Sequence, residues 1–255
     1  MLTDTHAHLY ASEFESDIDI VVKSCIQNGI SRLFLPNIDE ESIQPMLNLA
    51  NTYPKTCFPM MGLHPCSVFA DFENVLKKMK PMFEKLKFCA VGEIGIDLYW
   101  DKTFVEQQKA AFEQQIIWAK EMNLPIVIHV RDSFNEVFEI VDKLNDESLT
   151  GIFHCFTGTL EQAQHIIKYK GFKLGIGGVV TYKTSTLPEV LKNISLEHLV
   201  LETDSPYLPP VPFRGKRNES SYIIYVAKKL AEIYDTSVDE IAKITTENSR
   251  TIFKM

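Results

Sequence analysis

The chain has 255 residues, a formal net charge of −8, 45% hydrophobic and 24% charged residues. This apolar content excludes a disordered chain, and no apolar run approaches the ~18 residues of a membrane span. The acidic balance argues against a broad basic surface for gripping duplex nucleic acid, but not against a local site where metal ions meet phosphates. Eight short apolar runs then follow in order: residues 2–6, 32–36, 57–62, 88–92, 125–129, 151–154, 172–176 and 198–202. Each is mostly β-branched, Leu or Phe, as buried parallel strands are. Longer amphipathic segments separate them. Residues 104–122 place Phe104, Ala111, Phe112, Ile116 and Ala119 at helical spacing, and 133–144, 160–169 and 219–234 also read as helices. Near the end, Ser237 and Glu240 form an S-x-x-E capping box ahead of Ile241, Ile244 and Ile252.

Strand then helix, eight times, gives about 32 residues per unit, the size of a (β/α)8 repeat. The expected fold is therefore α/β, a TIM-type barrel forming one domain over 1–255. A doubly wound open sheet is disfavoured because the first strand leads into His6-Ala7-His8 and not a Gly-rich phosphate loop. The first residues carry no basic region and no apolar core of a signal peptide, so the expected location is cytoplasmic. Five widely spaced cysteines without a C-x-x-C pair predict neither a disulfide framework nor a zinc knuckle.

Barrel active sites sit at the C-terminal ends of the strands. Those ends carry His6 and His8, His64, Glu93, His129, His154 and Asp204, which includes five of the seven histidines. Strand residues two apart share a face, so His6 and His8 can reach one ion. Six ligands (His6, His8, Glu93, His129, His154 and Asp204) exceed the three that a single tetrahedral catalytic metal takes. They suit two ions about 3.5–4 Å apart. The expected division gives His6, His8 and Asp204 to one metal and His129 with His154 to the other, with Glu93 as the bridge. Asp204 is also the candidate to take a proton from the attacking water. His165, within a helix, and His198, ahead of the last strand, read as structural or exposed.

His64 either donates to an anionic oxygen or caps the third loop. Arg131 follows His129 by two and is expected to share its face as a buried phosphate ligand, the alternative being an ion pair with a helix carboxylate. Arg214, Lys216, Arg217 and Asn218 form the one basic cluster, read as a phosphate clamp held extended by the Pro-rich 206–212, or else as a solvated loop. Tyr99, Trp100 and Phe104 follow Glu93. They can stack on bases or pack as a lid, with packing preferred for Phe104.

As a set, these residues resemble the TatD family. The resemblance lies in Asp4-Thr5-His6-Ala7-His8-Leu9, Gly62-Leu63-His64-Pro65, Val91-Gly92-Glu93-Ile94-Gly95-Ile96-Asp97, Pro125-Ile126-Val127-Ile128-His129-Val130-Arg131 and His154-Cys155-Phe156-Thr157-Gly158. It continues through Leu201-Glu202-Thr203-Asp204-Ser205-Pro206-Tyr207-Leu208, Arg214-Gly215-Lys216-Arg217-Asn218-Glu219 and Thr245-Thr246-Glu247-Asn248-Ser249-Arg250, so it covers almost the whole chain in order. The resemblance implies a distorted (β/α)8 barrel of the amidohydrolase superfamily. It also implies a divalent-metal-dependent deoxyribonuclease with 3′–5′ exonuclease action on single-stranded DNA. The family's metal positions match His6, His8, Glu93, His129, His154 and Asp204. One departure is Ser220, where the family often has the proline that favours a helix start.

The expected activity is phosphodiester hydrolysis with two divalent ions (Mg²⁺, Mn²⁺ or Zn²⁺), on single-stranded DNA or another phosphate-containing substrate, with no membrane and no obligatory protein partner. The alternatives are hydrolysis of a C–N or ester bond, including an aminoacyl ester on tRNA, and a non-catalytic metal-binding protein, whose mark would be an eroded ligand set.

Overall fold

Eight parallel strands follow one another in the computed structural model, which describes residues 1–255: β1 (Leu2–Asp4), β2 (Ile30–Leu35), β3 (Cys57–Pro59), β4 (Val91–Asp97), β5 (Ile126–Arg131), β6 (Gly151–Phe153), β7 (Phe172–Ile176) and β8 (Leu199–Leu201). They pair in sequence order, β1 to β3 in one sheet and β4 to β8 in the other. At the seams, parallel bridges join Met61 to Val91 and Ala7 to Ser205, and the Thr5 N–H donates to the Leu201 carbonyl at 3.0 Å. This is a parallel α/β fold of the TIM-barrel type, thinned at two seams where single bridges replace ladders.

The helices between the strands are α1 (Ile18–Gln27), α2 (Glu40–Thr52), α3 (Phe72–Met79), α4 (Met82–Lys85), α5 (Val105–Met122), α6 (Phe134–Leu144), α7 (Leu160–Lys168) and α8 (Leu187–Leu191), and α9 (Ile223–Ile233) and α10 (Val238–Phe253) follow β8. Because helices cover the outside, the strands are buried on both faces: Ile126, Val127, Ile128, Leu174, Ile176, Leu199 and Val200 are all fully buried. Each such side chain contributes about 1.5–3 kcal/mol by leaving water.

Helix α5 also fixes two site loops with buried glutamines. Gln115 Oε1 accepts from the Leu63 N–H at 2.7 Å, next to His64, and Gln108 Oε1 accepts from the Asp97 N–H at 2.9 Å. Their amide groups return bonds to the carbonyls of Leu63 and Asp97, so neither glutamine is left unpaired on these faces.

Three sequence expectations need correction. The fourth strand is not 88–92 but Val91–Asp97, which puts Glu93 inside the strand; Val91 pairs with Ile126, the register shifts across Gly92 and Glu93, and the ladder resumes from Ile94 to Asp97 opposite Arg131. The Pro-rich 206–212 is not extended but turned, with the Tyr207 N–H bonded to the Asp204 carbonyl at 2.8 Å and Phe213 to Pro210 at 2.7 Å. Backbone bonding within the loop outweighs the extended preference of the prolines. Only one half of the capping box is seen. Ser237 Oγ accepts from the Glu240 N–H at 3.1 Å, while the Glu240 carboxylate faces Lys243 at 3.7 Å. At Ser220 a short 3-10 turn, Ser220–Tyr222, leads into α9 without the proline.

Candidate metal centre

The residues following β1 bring His6 and His8 onto one side, with their Nε2 atoms 3.2 Å apart. Glu93 Oε2 lies 3.0 Å from the first and 3.5 Å from the second. Asp204 Oδ1 stands 3.8 and 3.5 Å from the same two nitrogens. Backbone pairing positions Asp204, whose N–H donates to the His6 carbonyl at 2.9 Å; its φ of +58° is a left-handed conformation that Asp tolerates. Beneath it, buried Asp4 accepts from the Thr203 N–H at 3.0 Å and the Thr203 hydroxyl at 2.6 Å, tying β1 to β8. Burial pushes the Asp4 carboxyl up to about 7.

The other oxygen of Glu93 faces a second group. Oε1 lies 2.8 Å from His129 Nδ1 and 3.4 Å from His64 Nε2. His64 caps the third loop, one of its two expected readings, since its Nδ1 accepts from the Cys66 N–H at 3.1 Å. The expected pairing of His129 with His154 is not seen. His129 is held between two carboxylates, its Nε2 being 2.8 Å from Asp97 Oδ2. His154 instead stacks on His6, ring centres 3.4 Å apart, with Nε2 3.7 Å from Asp204 and 3.9 Å from Glu93.

Three residues missed from sequence orient these histidines. Tyr10 donates its hydroxyl to the Pro36 carbonyl, so its oxygen accepts from His8 Nδ1–H at 3.0 Å. That leaves His8 Nε2 directed at the cluster. Glu202, fully buried, stands 2.9 Å from His154 Nδ1 and favours the same tautomer there. Asp97 does the corresponding work at His129. The available signal was spacing: Tyr10 is two after His8, Glu202 two before Asp204, and Asp97 four after Glu93 on the same strand face.

Electrostatics and donor chemistry both fit a cation. Burial opposes ionisation of Glu93, but the neighbouring His6, His64 and His154 outweigh it and hold the carboxyl well below its usual range. Asp204 is likewise lowered against its burial. Burial, together with His154, pushes His6 down to about 4, whereas the Glu202 and Glu93 carboxylates overcome burial and raise His154 to about 9. His6 is thus neutral at pH 7, with Nε2 facing Glu93. Donor atoms each about 2.0–2.2 Å from one ion stand about 3.3–3.6 Å apart in tetrahedral geometry. Of the separations among His6, His8 and Glu93, 3.5 Å lies in that range and 3.2 and 3.0 Å fall just short of it, and His64, Glu93 and His129 form a second convergent group.

The expected phosphate contacts fare unevenly. Arg131 is exposed, not buried, and its guanidinium lies over the Tyr99 ring, 3.9 Å from the centre. Arg214 is exposed, 3.9 Å from the Tyr182 ring, and Lys216 is exposed. Arg217 is taken up internally by both Asp17 oxygens at 2.8 and 2.7 Å and by Glu219 at 3.0 Å. Asn218 is fully buried, donating to the Thr203 and Tyr207 carbonyls at 2.7 and 2.6 Å. Neither of these two is free to meet a phosphate. Phe104 packs edge-on against Phe69. His165 pairs with Asp142 at 2.8 Å, and His198 lies by Glu197 at 3.6 Å. All five cysteines are free. No helix is long and apolar enough to cross a membrane.

Comparison with known proteins places this arrangement. The family model described as TatD related DNase matches residues 3–254. The chain is 40% identical to the uncharacterized metal-dependent hydrolase YabD of Bacillus subtilis over the full length of both. It is 28% identical to the 3′-5′ ssDNA/RNA exonuclease TatD of Pantoea vagans, covering 99% of each. The crystal structure of YjjV, a TatD homologue from Escherichia coli K12, superposes with a TM-score of 0.92 at 30% identity, covering 100% of this chain and 98% of that one. The chain is a member of the TatD family of metal-dependent hydrolases.

Proposed function

We propose that this hydrolase cleaves phosphodiester bonds, acting as a 3′–5′ exonuclease on single-stranded DNA. The observation that carries the reading is the double use of Glu93, with one oxygen toward His6 and His8 and the other toward His129 and His64. A carboxylate so placed suits a pair of ions, the arrangement that clamps the attacking and leaving oxygens of an in-line displacement. His6, His8 and Asp204 would hold one divalent ion; Glu93 would be shared, and His129 and His64 face the other side, with His154 between them and Asp204. When bound, such ions supply Lewis-acid stabilisation of phosphoryl oxygens and acidify water. Asp204 is kept ionised and is 15% exposed, so it can accept a proton from the entering water. Arg131 and Arg214, both exposed, are available to backbone phosphates. The exonuclease name carried by the Pantoea vagans relative agrees with this reading.

The test is a 5′-labelled single-stranded oligonucleotide incubated with metal-stripped protein plus Mg²⁺ or Mn²⁺. A ladder shortening from the 3′ end is expected, with Asp204→Asn and Glu93→Ala reduced by at least about 100-fold, the scale of losing a preorganised charge in a reacting site. No cleavage with either ion, alongside turnover of an ester or amide panel, overturns the phosphodiesterase in favour of the ester or C–N hydrolase. Wild-type rates in both variants overturn the assigned site.

A further inference from the structure

We propose that Tyr99, Trp100 and Arg131 form a shelf on which an unpaired nucleobase stacks, next to the phosphate held by the histidine cluster. The proposal rests on the phosphodiester reading and adds to it a structural reason for single-strand selection. Tyr99 and Trp100 are 53% and 70% exposed, whereas the neighbouring Phe104 is packed against Phe69. The two rings meet edge-on, with centres 4.8 Å apart. The Arg131 guanidinium lies 3.9 Å from the Tyr99 ring centre and 5.2 Å from that of Trp100, adding a cation to the aromatic surface.

This surface is built into the site. Asp97 Oδ1 accepts the N–H groups of Tyr99 at 3.0 Å and Trp100 at 3.3 Å, while its Oδ2 stands 2.8 Å from His129 Nε2. One carboxylate therefore spans from the shelf to the histidine cluster. Arg131 is fixed from the other side, two residues beyond His129 on β5 and opposite Asp97 in the ladder. A cavity of about 860 Å³ opens against Tyr99 and Arg131 and reaches Thr157 and Thr159, within the size range of ligand pockets. An unpaired, unstacked base presents a full π-face to such a shelf, and the guanidinium can meet the phosphate attached to it. Within a duplex the bases are covered on both faces by their neighbours and only the outer face of the terminal pair is open, so the shelf favours single strands.

The chain has two tryptophans, and Trp118 is 2% exposed, so fluorescence quenching by a ligand reports on Trp100. A phosphorothioate-linked single-stranded oligonucleotide is expected to quench this emission saturably, and an abasic strand of equal length is not. In kinetics, Trp100→Ala should lower the ratio of kcat/KM on the oligonucleotide to that on methyl p-nitrophenyl phosphate roughly 5- to 150-fold, the range for losing one stacked base. Trp100→Phe, which keeps a ring, should restore most of that ratio. Absence of quenching, equal quenching by the abasic strand, or an unchanged ratio in Trp100→Ala overturns the shelf, whatever becomes of the phosphodiesterase. Base-dependent quenching in a protein that cleaves neither diester supports the shelf and overturns the phosphodiesterase reading instead.

Discussion

Gly95 lies between the two carboxylates that flank His129, and its surroundings leave no room for a side chain. A Cβ there would stand 2.1 Å from the His129 carbonyl oxygen and 2.9 Å from its nitrogen, and the φ of +145° is one that other residues rarely adopt. The absence of that carbon lets β4 and β5 pair closely, so that Glu93 and Asp97 reach opposite nitrogens of one ring. Gly95→Ala is therefore expected to destabilise the metal-free protein by about 1–3 kcal/mol, the cost of overpacking, read as a lower urea midpoint with unchanged slope. It should also weaken metal uptake, because the His129 backbone must retreat. An unchanged midpoint would mean that the strands relax freely here and that the glycine does not set the site. Tyr10 and Glu202 act at the same scale. Each engages the Nδ1 side of a histidine and leaves Nε2 facing the cluster, a choice that no composition or periodicity reveals.

Among the elements, the loop after β8 shows how a residue with a functional motif's look can serve structure. Asn218 is buried, donates to the Thr203 and Tyr207 carbonyls and accepts from the Glu219 N–H at 2.9 Å, so it braces the turn that carries Asp204. Asn218→Ala removes these partners and leaves two carbonyls in the interior. A loss of about 2–4 kcal/mol in urea unfolding is expected, whereas exposed Lys216→Ala should stay within about 0.5 kcal/mol of wild type. Equal stability of the two variants would contradict the brace. The strands were legible because parallel strands buried on both faces read as apolar runs, and His6, His8, Glu93, His154 and Asp204 were legible because barrel chemistry collects at strand ends. The fate of Arg217 was not legible, since its partner Asp17 lies 200 residues away and only folding brings them together. The true reach of β4 was hidden for a related reason. Glu93, Gly95 and Asp97 look like a loop, and they form a strand because the Asn37 carbonyl takes the Glu93 N–H at 3.1 Å while β5 and the buried Gln108 pair with Gly95 and Asp97.

For the whole molecule, the cluster makes stability depend jointly on metal and pH, with opposite signs in the two forms. In the metal-free protein, burial opposes protonation of His8, His64, His129 and His154, but the surrounding carboxylates outweigh it and raise all four, His154 to about 9. A histidine whose folded pKa is raised stabilises the fold fully below its unfolded value of about 6.5, and that stabilisation is lost as pH rises through the folded value. His6, lowered to about 4, is neutral across this window and adds no slope. A divalent ion competes with these same protons, so its affinity rises as they leave. At 100 times its Kd an ion that binds only the folded chain adds about 2.7 kcal/mol, roughly 5–10 °C in Tm for a chain of this size. The gap in Tm between Mn²⁺-loaded and chelator-treated protein should therefore widen from pH 6.5 to pH 8.5, as metal-free stability falls and ion affinity climbs. Scanning both forms at the two pH values checks this. A gap that narrows would mean that the histidines shed their protons well before pH 6.5, leaving Glu93, Glu202 and Asp204 without positive partners in the metal-free fold, which the 2.8 and 2.9 Å approaches of the raised His129 and His154 to carboxylates contradict.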